Sequence, residues 1–147
     1  MARRVFFSFH YEIDIWRASI VRNSHVIDGT AAAGFQDASM WEEAKKKGDA
    51  ALMRMINAAL DGTTVTTVLI GAETASRPWV DYEIEQSIKR GNGLLGIYID
   101  QIKDRSGRTS LRGQVPLRLR NAGSRVYEWD RDRFGDWVES AATKAGR

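Results

Sequence analysis

The chain has no cysteine, two prolines and two histidines. Without cysteine there is no disulfide framework, no thiol nucleophile and no Cys-containing zinc site. His10 and His25 alone give little basis for a multi-histidine metal centre, so no metal is expected. The longest apolar run falls far short of the ~18 residues that a membrane span requires. Met1-Ala2-Arg3-Arg4 leads straight into a β-like run and not into a signal-peptide apolar region. A cytoplasmic protein with no membrane contact is the expectation. There is also no internal repeat and no low-complexity tail. What remains is ordinary globular composition, 43% hydrophobic and 28% charged over 147 residues. That is the length of one domain, 1–147, and enough to bury a core without staples.

Charge is unevenly spread. Residues 1–100 hold 11 basic and 13 acidic side chains, whereas residues 101–147 hold 11 and 6. Most of the basic excess lies between Lys103 and Arg125, where seven Lys/Arg face a single acid, Asp104. Such a stretch, here a basic loop over 100–124, either draws in phosphates, with Arg105, Arg108 and Arg112 the candidates, or is a solvated loop. No aromatic residue interleaves it, so a stacking platform for nucleic acid is absent and nucleic acid is not an expected partner.

Hydrophobic patterning alternates strands with helices. Arg3 to Phe9 is β-branched and aromatic, like a strand buried on both faces. Ile13, Trp16 and Ile20 recur at spacings of three and four, marking a helix of roughly 12–23. Gly34-Phe35-Gln36-Asp37 is a short strand candidate. Ser39 and Glu42 form a capping box for a helix carrying Trp41, Ala44, Leu52, Met55, Ile56 and Ala59, with a kink at Gly48 and an end at Asp61-Gly62. Thr63 to Ile70 is a strand. Pro78 suits the first turn of a helix whose core stripe is Val80, Ile84 and Ile88. Gly93 to Ile99 and Arg125 to Trp129 are further strands. Asp130 caps a last helix that turns Phe134, Trp137, Val138 and Ala141 inward. The alternation predicts an α/β fold: a five-stranded parallel sheet in flavodoxin-like order with helices on both faces.

Two motifs lead nowhere. Gly91-Asn92-Gly93-Leu94-Leu95-Gly96 matches G-x-G-x-x-G, but it follows a helix and opens a strand, the reverse of a dinucleotide fingerprint. Gly91 reads as a helix C-cap and Gly96 as close packing. A phospho-acceptor receiver needs acids at strand ends, where this chain has Phe9-His10-Tyr11 and Ile70-Gly71-Ala72.

The informative segment is Arg77-Pro78-Trp79-Val80-Asp81-Tyr82-Glu83-Ile84. On a helix Trp79 and Glu83 are i and i+4 and share a face beside the core stripe. The helix follows the third strand, so its first turns meet the carboxyl edge of the sheet, where such sheets bind ligands. From spacing alone, a core-edge indole with an ordinary surface carboxylate is the favoured reading.

Val5-Phe6-Phe7-Ser8-Phe9-His10 resembles the first strand of TIR domains, and Trp79-Val80-Asp81-Tyr82-Glu83 resembles the Trp-x-x-x-Glu segment of catalytic members. The match is closest to the TIR-like subfamily of the bacterial Thoeris anti-phage system. Four blocks carry it: Arg4 to His10, Ala38 to Trp41 with the following helix, Val65 to Gly71, and Trp79 through Ile99. The resemblance implies an NAD+ glycohydrolase or cyclase with Glu83 catalytic and Trp79 beside the nicotinamide ribose. Phe9 and His10 would line the nucleotide side, with Asp37 and Ser39 following the second strand. Phe9 as core, His10 as a rim histidine and Ser39 as a plain helix cap stay open. The resemblance further implies NAD+ as substrate, no separate cofactor, a nucleotide product that reaches a separate effector, and self-association on activation. The rival reading is a non-catalytic TIR-like interaction module.

Overall fold

The computed structural model describes residues 3–24, 32–33 and 38–147, without the side chains of 32, 33 and 38–40. The elements are β1 (Val5–Ser8), α1 (Tyr11–Arg22), β2 (Ala32–Ala33), α2 (Ala38–Lys47), α3 (Asp49–Leu60), β3 (Val65–Ile70), α4 (Pro78–Lys89), β4 (Gly93–Tyr98), α5 (Leu117–Asn121), β5 (Arg125–Glu128) and α6 (Phe134–Lys144). They form an α/β fold around one parallel sheet in the order β2-β1-β3-β4-β5. Four strands are substantial. The edge is a two-residue ladder in which Ala32 and Ala33 pair with Val5 and Phe6. The strand expected at Gly34–Asp37 lies outside the described residues, as do His25 and the Ser39 side chain of the expected capping box.

Alternation along β1 divides the core. Val5, Phe7 and Phe9 pack with Ala18 and Val21 of α1 and with Phe134, Val138 and Ala142 of α6. Phe6 faces the opposite side, against Ile56 and Leu60 of α3 with Trp79 and Tyr82 of α4 alongside. Val80 and Ile84 of α4 pack with Val68, Ile70 and Leu119. Each such side chain removed from water contributes roughly 1.5–3 kcal/mol. Gly48 (φ 102°) breaks the long helical segment into α2 and α3.

Several expectations are corrected. Ile13, Trp16 and Ile20 do mark a helix, but that face points outward, 39–45% exposed. The buried face of α1 carries Asp14, Arg17, Ala18 and Val21. Arg17 can be inside because its guanidinium is used: it donates to the carbonyls of Ile102 (2.6 Å) and Arg108 (2.9 Å). Ile88 is likewise exposed, leaving Val80 and Ile84 as the apolar stripe of α4. Asp130 does not cap α6 directly. It accepts the Asp132 N–H (3.0 Å) in the turn before Arg133, the N-cap, and Ala142 rather than Ala141 is fully buried.

The segment 100–124 is largely exposed, as the solvated-loop reading expects, though it is not structureless. It folds into α5 and a strap in which two cations, Arg112 and Arg118, are paired with carboxylates. Arg112 joins Asp100 (3.1 Å) and Glu128 and lies 4.0 Å over the Tyr98 ring. Arg118 bridges Asp81 (2.9 Å) and Glu85 (3.3 Å). The glycines are packing devices, as read: Gly91 (φ 76°) ends α4, and a Cβ at Gly96 would press on Ile70 and Leu119, both at 3.0 Å.

The strap crosses the end of β3 so closely that a Cβ on Gly113 would collide with the Gly71 carbonyl oxygen. Backbone cannot step aside as a flexible side chain does. Gly113→Ala is therefore expected to lower stability by about 1–3 kcal/mol, the range for overpacking, as read from the urea midpoint. An unchanged midpoint would mean that the strap does not rest on β3.

Candidate active site

In a 2-1-3-4-5 sheet the chain order reverses between β1 and β3, and ligands enter at that switch point, outside the carboxyl ends of the strands. A cleft of about 460 Å³, partly open to solvent, lies there. Phe7, Phe9 and His10 come from the end of β1, Tyr11 and Glu12 from the first turn of α1, and Trp41 from α2. Arg77, Trp79, Val80 and Glu83 come from the start of α4.

Glu83 is placed by local sequence. Arg77 is extended (φ −90°, ψ 117°) as the residue before a proline must be, and Pro78 opens α4. One turn later Glu83 meets the even-numbered face of β1, where Ser8 Oγ donates to its Oε1 at 2.7 Å. The next turn is fixed to the sheet as well: Ser87 Oγ donates to the Glu83 carbonyl (2.7 Å) and shares a hydrogen bond with Thr66 Oγ1 (2.7 Å). The carboxyl is thus a buried group in a fixed position. Burial pushes its pKa up to about 8, against the opposing pull of the Ser8 hydroxyl. In the protein alone it is mostly protonated at pH 7.

The other expected residues divide. Phe9 and His10 line the cleft with Glu83, and so does Trp79. Trp79 is half-buried against Tyr82 in an edge-on contact (5.6 Å), so it serves the core edge and the cleft wall together. His10 is 6% exposed, and its Nδ1 has no hydrogen-bond partner among the described residues. Its pKa is lowered, first by burial and then by the nearby Arg77 charge, so the imidazole is neutral at pH 7. Asp37 and the Ser39 side chain lie outside the described residues.

Ser8, Tyr11, Trp41 and Arg77 also reach the site, though the sequence had not singled them out as functional. A signal existed for Tyr11 and Trp41: each is an aromatic residue in the first turns of a helix that follows a strand toward the ligand-binding edge. Phe9 stacks on Tyr11 (centroids 6.2 Å, 30°) and Tyr11 on Trp41 (5.8 Å, 23°). Arg77 meets no carboxylate among the described residues and is the cation of the cleft. Arg105, Arg108 and Arg112, weighed as phosphate ligands, do not line it. Among the described residues no cluster of three or more His, Asp or Glu is arranged to hold a metal ion.

Chemically, one buried carboxyl in an aromatic-walled cleft, with Glu12 at the rim engaged by Lys45 and Arg77 as a cation, suits a reaction that builds positive charge and needs no second acid. The family model for the TIR-like domain of Thoeris protein ThsB matches residues 6–104. A curated relative from Bacillus cereus (strain MSX-D12), named "Putative cyclic ADP-D-ribose synthase ThsB1", is 45% identical over 148 residues. The alignment spans 95% of this chain and 76% of the relative.

Proposed function

The chain belongs to the Thoeris ThsB TIR-like family, and on that premise we propose that it is an NAD+ glycohydrolase or cyclase whose product signals in anti-phage defence. It takes NAD+ as substrate, needs no separate cofactor, and works as a cytoplasmic TIR-like domain of flavodoxin-like, five-stranded design. The carrying observation is Glu83: a buried carboxyl, held by Ser8, in a cleft walled by aromatic rings at the sheet's switch point. The relative's name supports a cyclic product.

The bond between the ribose C1′ and the pyridinium nitrogen breaks, and its electron pair passes to the ring nitrogen. Nicotinamide leaves neutral, so no general acid is required, unlike the two-carboxylate glycosidases. Positive charge grows on the ribose, where ionised Glu83 stabilises it. The cationic ring of the substrate favours that ionised form as it arrives, because an adjacent positive charge lowers a carboxyl's pKa. An atom of the ADP-ribose itself then attacks C1′ in place of water. A hydroxyl attacking in this way gives its proton to Glu83. Holding both ends of one molecule together supplies the orientation. Trp79 packs by the nicotinamide ribose, Phe9 and His10 lie on the nucleotide side, and Asp37 and Ser39 follow the second strand. The product activates a separate effector protein, and self-association accompanies activation.

The test is incubation of the purified chain with NAD+, with and without infected-cell lysate, followed by assay of nicotinamide and mass spectrometry of the remainder. Nicotinamide with a product lighter than ADP-ribose by one water is the expected result. A second reading, a non-catalytic interaction module, draws on the exposed Ile13, Trp16 and Ile20 stripe of α1. Silence in both conditions would favour it.

A further inference from the structure

Phe9, Tyr11 and Trp41 form a stacked row in the wall of the cleft that Glu83 also lines. Phe9 adjoins Ser8, which holds the carboxyl, and two ring-to-ring steps of 6.2 and 5.8 Å end at Trp41. The far ring is fixed by more than stacking. Glu12, next to Tyr11, pairs with Lys45 (3.5 Å), one turn beyond Trp41, and so ties α1 to α2 at the rim. Half-exposed Trp41 and Tyr11 both keep surface in the cleft. Arg77 brings to the same space a guanidinium that meets no carboxylate among the described residues, where His10 likewise has a buried ring nitrogen without a partner.

We infer that Tyr11 and Trp41 are the subsite for the adenine base of the dinucleotide, with Arg77 serving the pyrophosphate that joins it to the reacting ribose. This rests on the reading of Glu83 as the group facing the nicotinamide ribose. If that ribose sits at Glu83, the substrate's second base must lie at a distance along the cleft. A flat purine needs an aromatic face to stack on, and every base has one to offer in return. A diphosphate needs a planar bidentate cation, which is the role arginine fills best. Selectivity for NAD+ over nicotinamide mononucleotide, which has no adenine, is the consequence.

The experiment measures binding of adenosine 5′-monophosphate and of nicotinamide mononucleotide by calorimetry, independently of turnover. The proteins are the wild type, Tyr11→Leu, Trp41→Leu and Trp41→Phe, with the melting temperature of each as the folding control. Loss of one base–aromatic stack corresponds to about a tenfold fall in affinity. The expected result is that fall for adenosine 5′-monophosphate in both leucine variants, recovery in Trp41→Phe, and nicotinamide mononucleotide within about twofold throughout. Equal adenosine 5′-monophosphate affinity in all four proteins, or none in the wild type, overturns the subsite. So does a loss confined to nicotinamide mononucleotide, or a parallel loss of both ligands. If NAD+ yields no nicotinamide while the Trp41-dependent binding holds, the subsite stands and the catalytic reading falls.

Discussion

Glu83→Gln is expected to be folded and inactive. The substitution keeps the size, the helix propensity and a hydrogen-bond acceptor for Ser8 Oγ. It removes only the ability to carry negative charge where the ribose becomes positive. Losing one preorganised electrostatic partner typically costs ~10²–10³ in rate, and the loss should fall on kcat with little change in KM. Glu85 is the control in the same helix, about 200° further round by the ~100° step per residue. It lies outside the cleft, paired with Lys89 (3.2 Å) and Arg118 (3.3 Å). Exposed pairs of that kind contribute about 0–1 kcal/mol, so Glu85→Gln should retain activity and fold. Nicotinamide release at near wild-type rate in Glu83→Gln would remove the catalytic assignment.

Activity and stability are expected to move in opposite directions with pH. Glu83 has a folded-state pKa raised from 4.5 to about 8, so the folded protein holds its proton where the unfolded chain has lost it. Stability therefore falls as pH rises from about 4.5 to about 8 and then levels. The displacement corresponds to at most about 4–5 kcal/mol. Asp14, raised by burial from 3.8 to about 6, adds a fall of the same sign at lower pH. The ionised carboxylate is the active form, so kcat/KM should rise about tenfold per pH unit and level near pH 8. Ser8→Ala should shift the activity midpoint to higher pH, since the hydroxyl favours the charged form, and Glu83→Gln should flatten the stability profile above about pH 6, where Asp14 has finished titrating. A wild-type kcat/KM that is level between pH 6 and 9 would show that no such carboxyl governs the reaction.

What was legible in the sequence was local or periodic. Pro78 and the Val80/Ile84 spacing place α4, and α4 places Trp79 and Glu83 on the cleft. The glycines of the β4 region read correctly because a positive φ or a missing Cβ leaves a mark in sequence. The inward face of α1 did not, because its buried positions include Asp14 and Arg17, and no hydropathy pattern marks a cation whose carbonyl partners lie about 90 residues away. The ion pairs of two strap arginines were hidden for the same reason. Arg112 and Arg118 look free until folding brings Asp81, Glu85, Asp100 and Glu128 to them. Arg77 escaped notice because what sets it apart is that no carboxylate among the described residues meets it.

The grip of Arg17 on the strap also makes this segment a place to graft. A single buried side chain pins the carbonyls at both ends of the 102–108 turn. Between them Gly107 stands at φ 81° with no other atom within 4 Å of where a Cβ would be. A loop whose two feet are already clamped can be lengthened at small entropic cost, since each doubling of length adds only about 0.6 kcal/mol. An epitope, a fluorophore-bearing peptide or an affinity handle inserted beside Gly107 would project from a braced base, and none of the residues that line the cleft would be altered. The same brace gives evolution a port at which such proteins can gain new surface while their pocket is left alone.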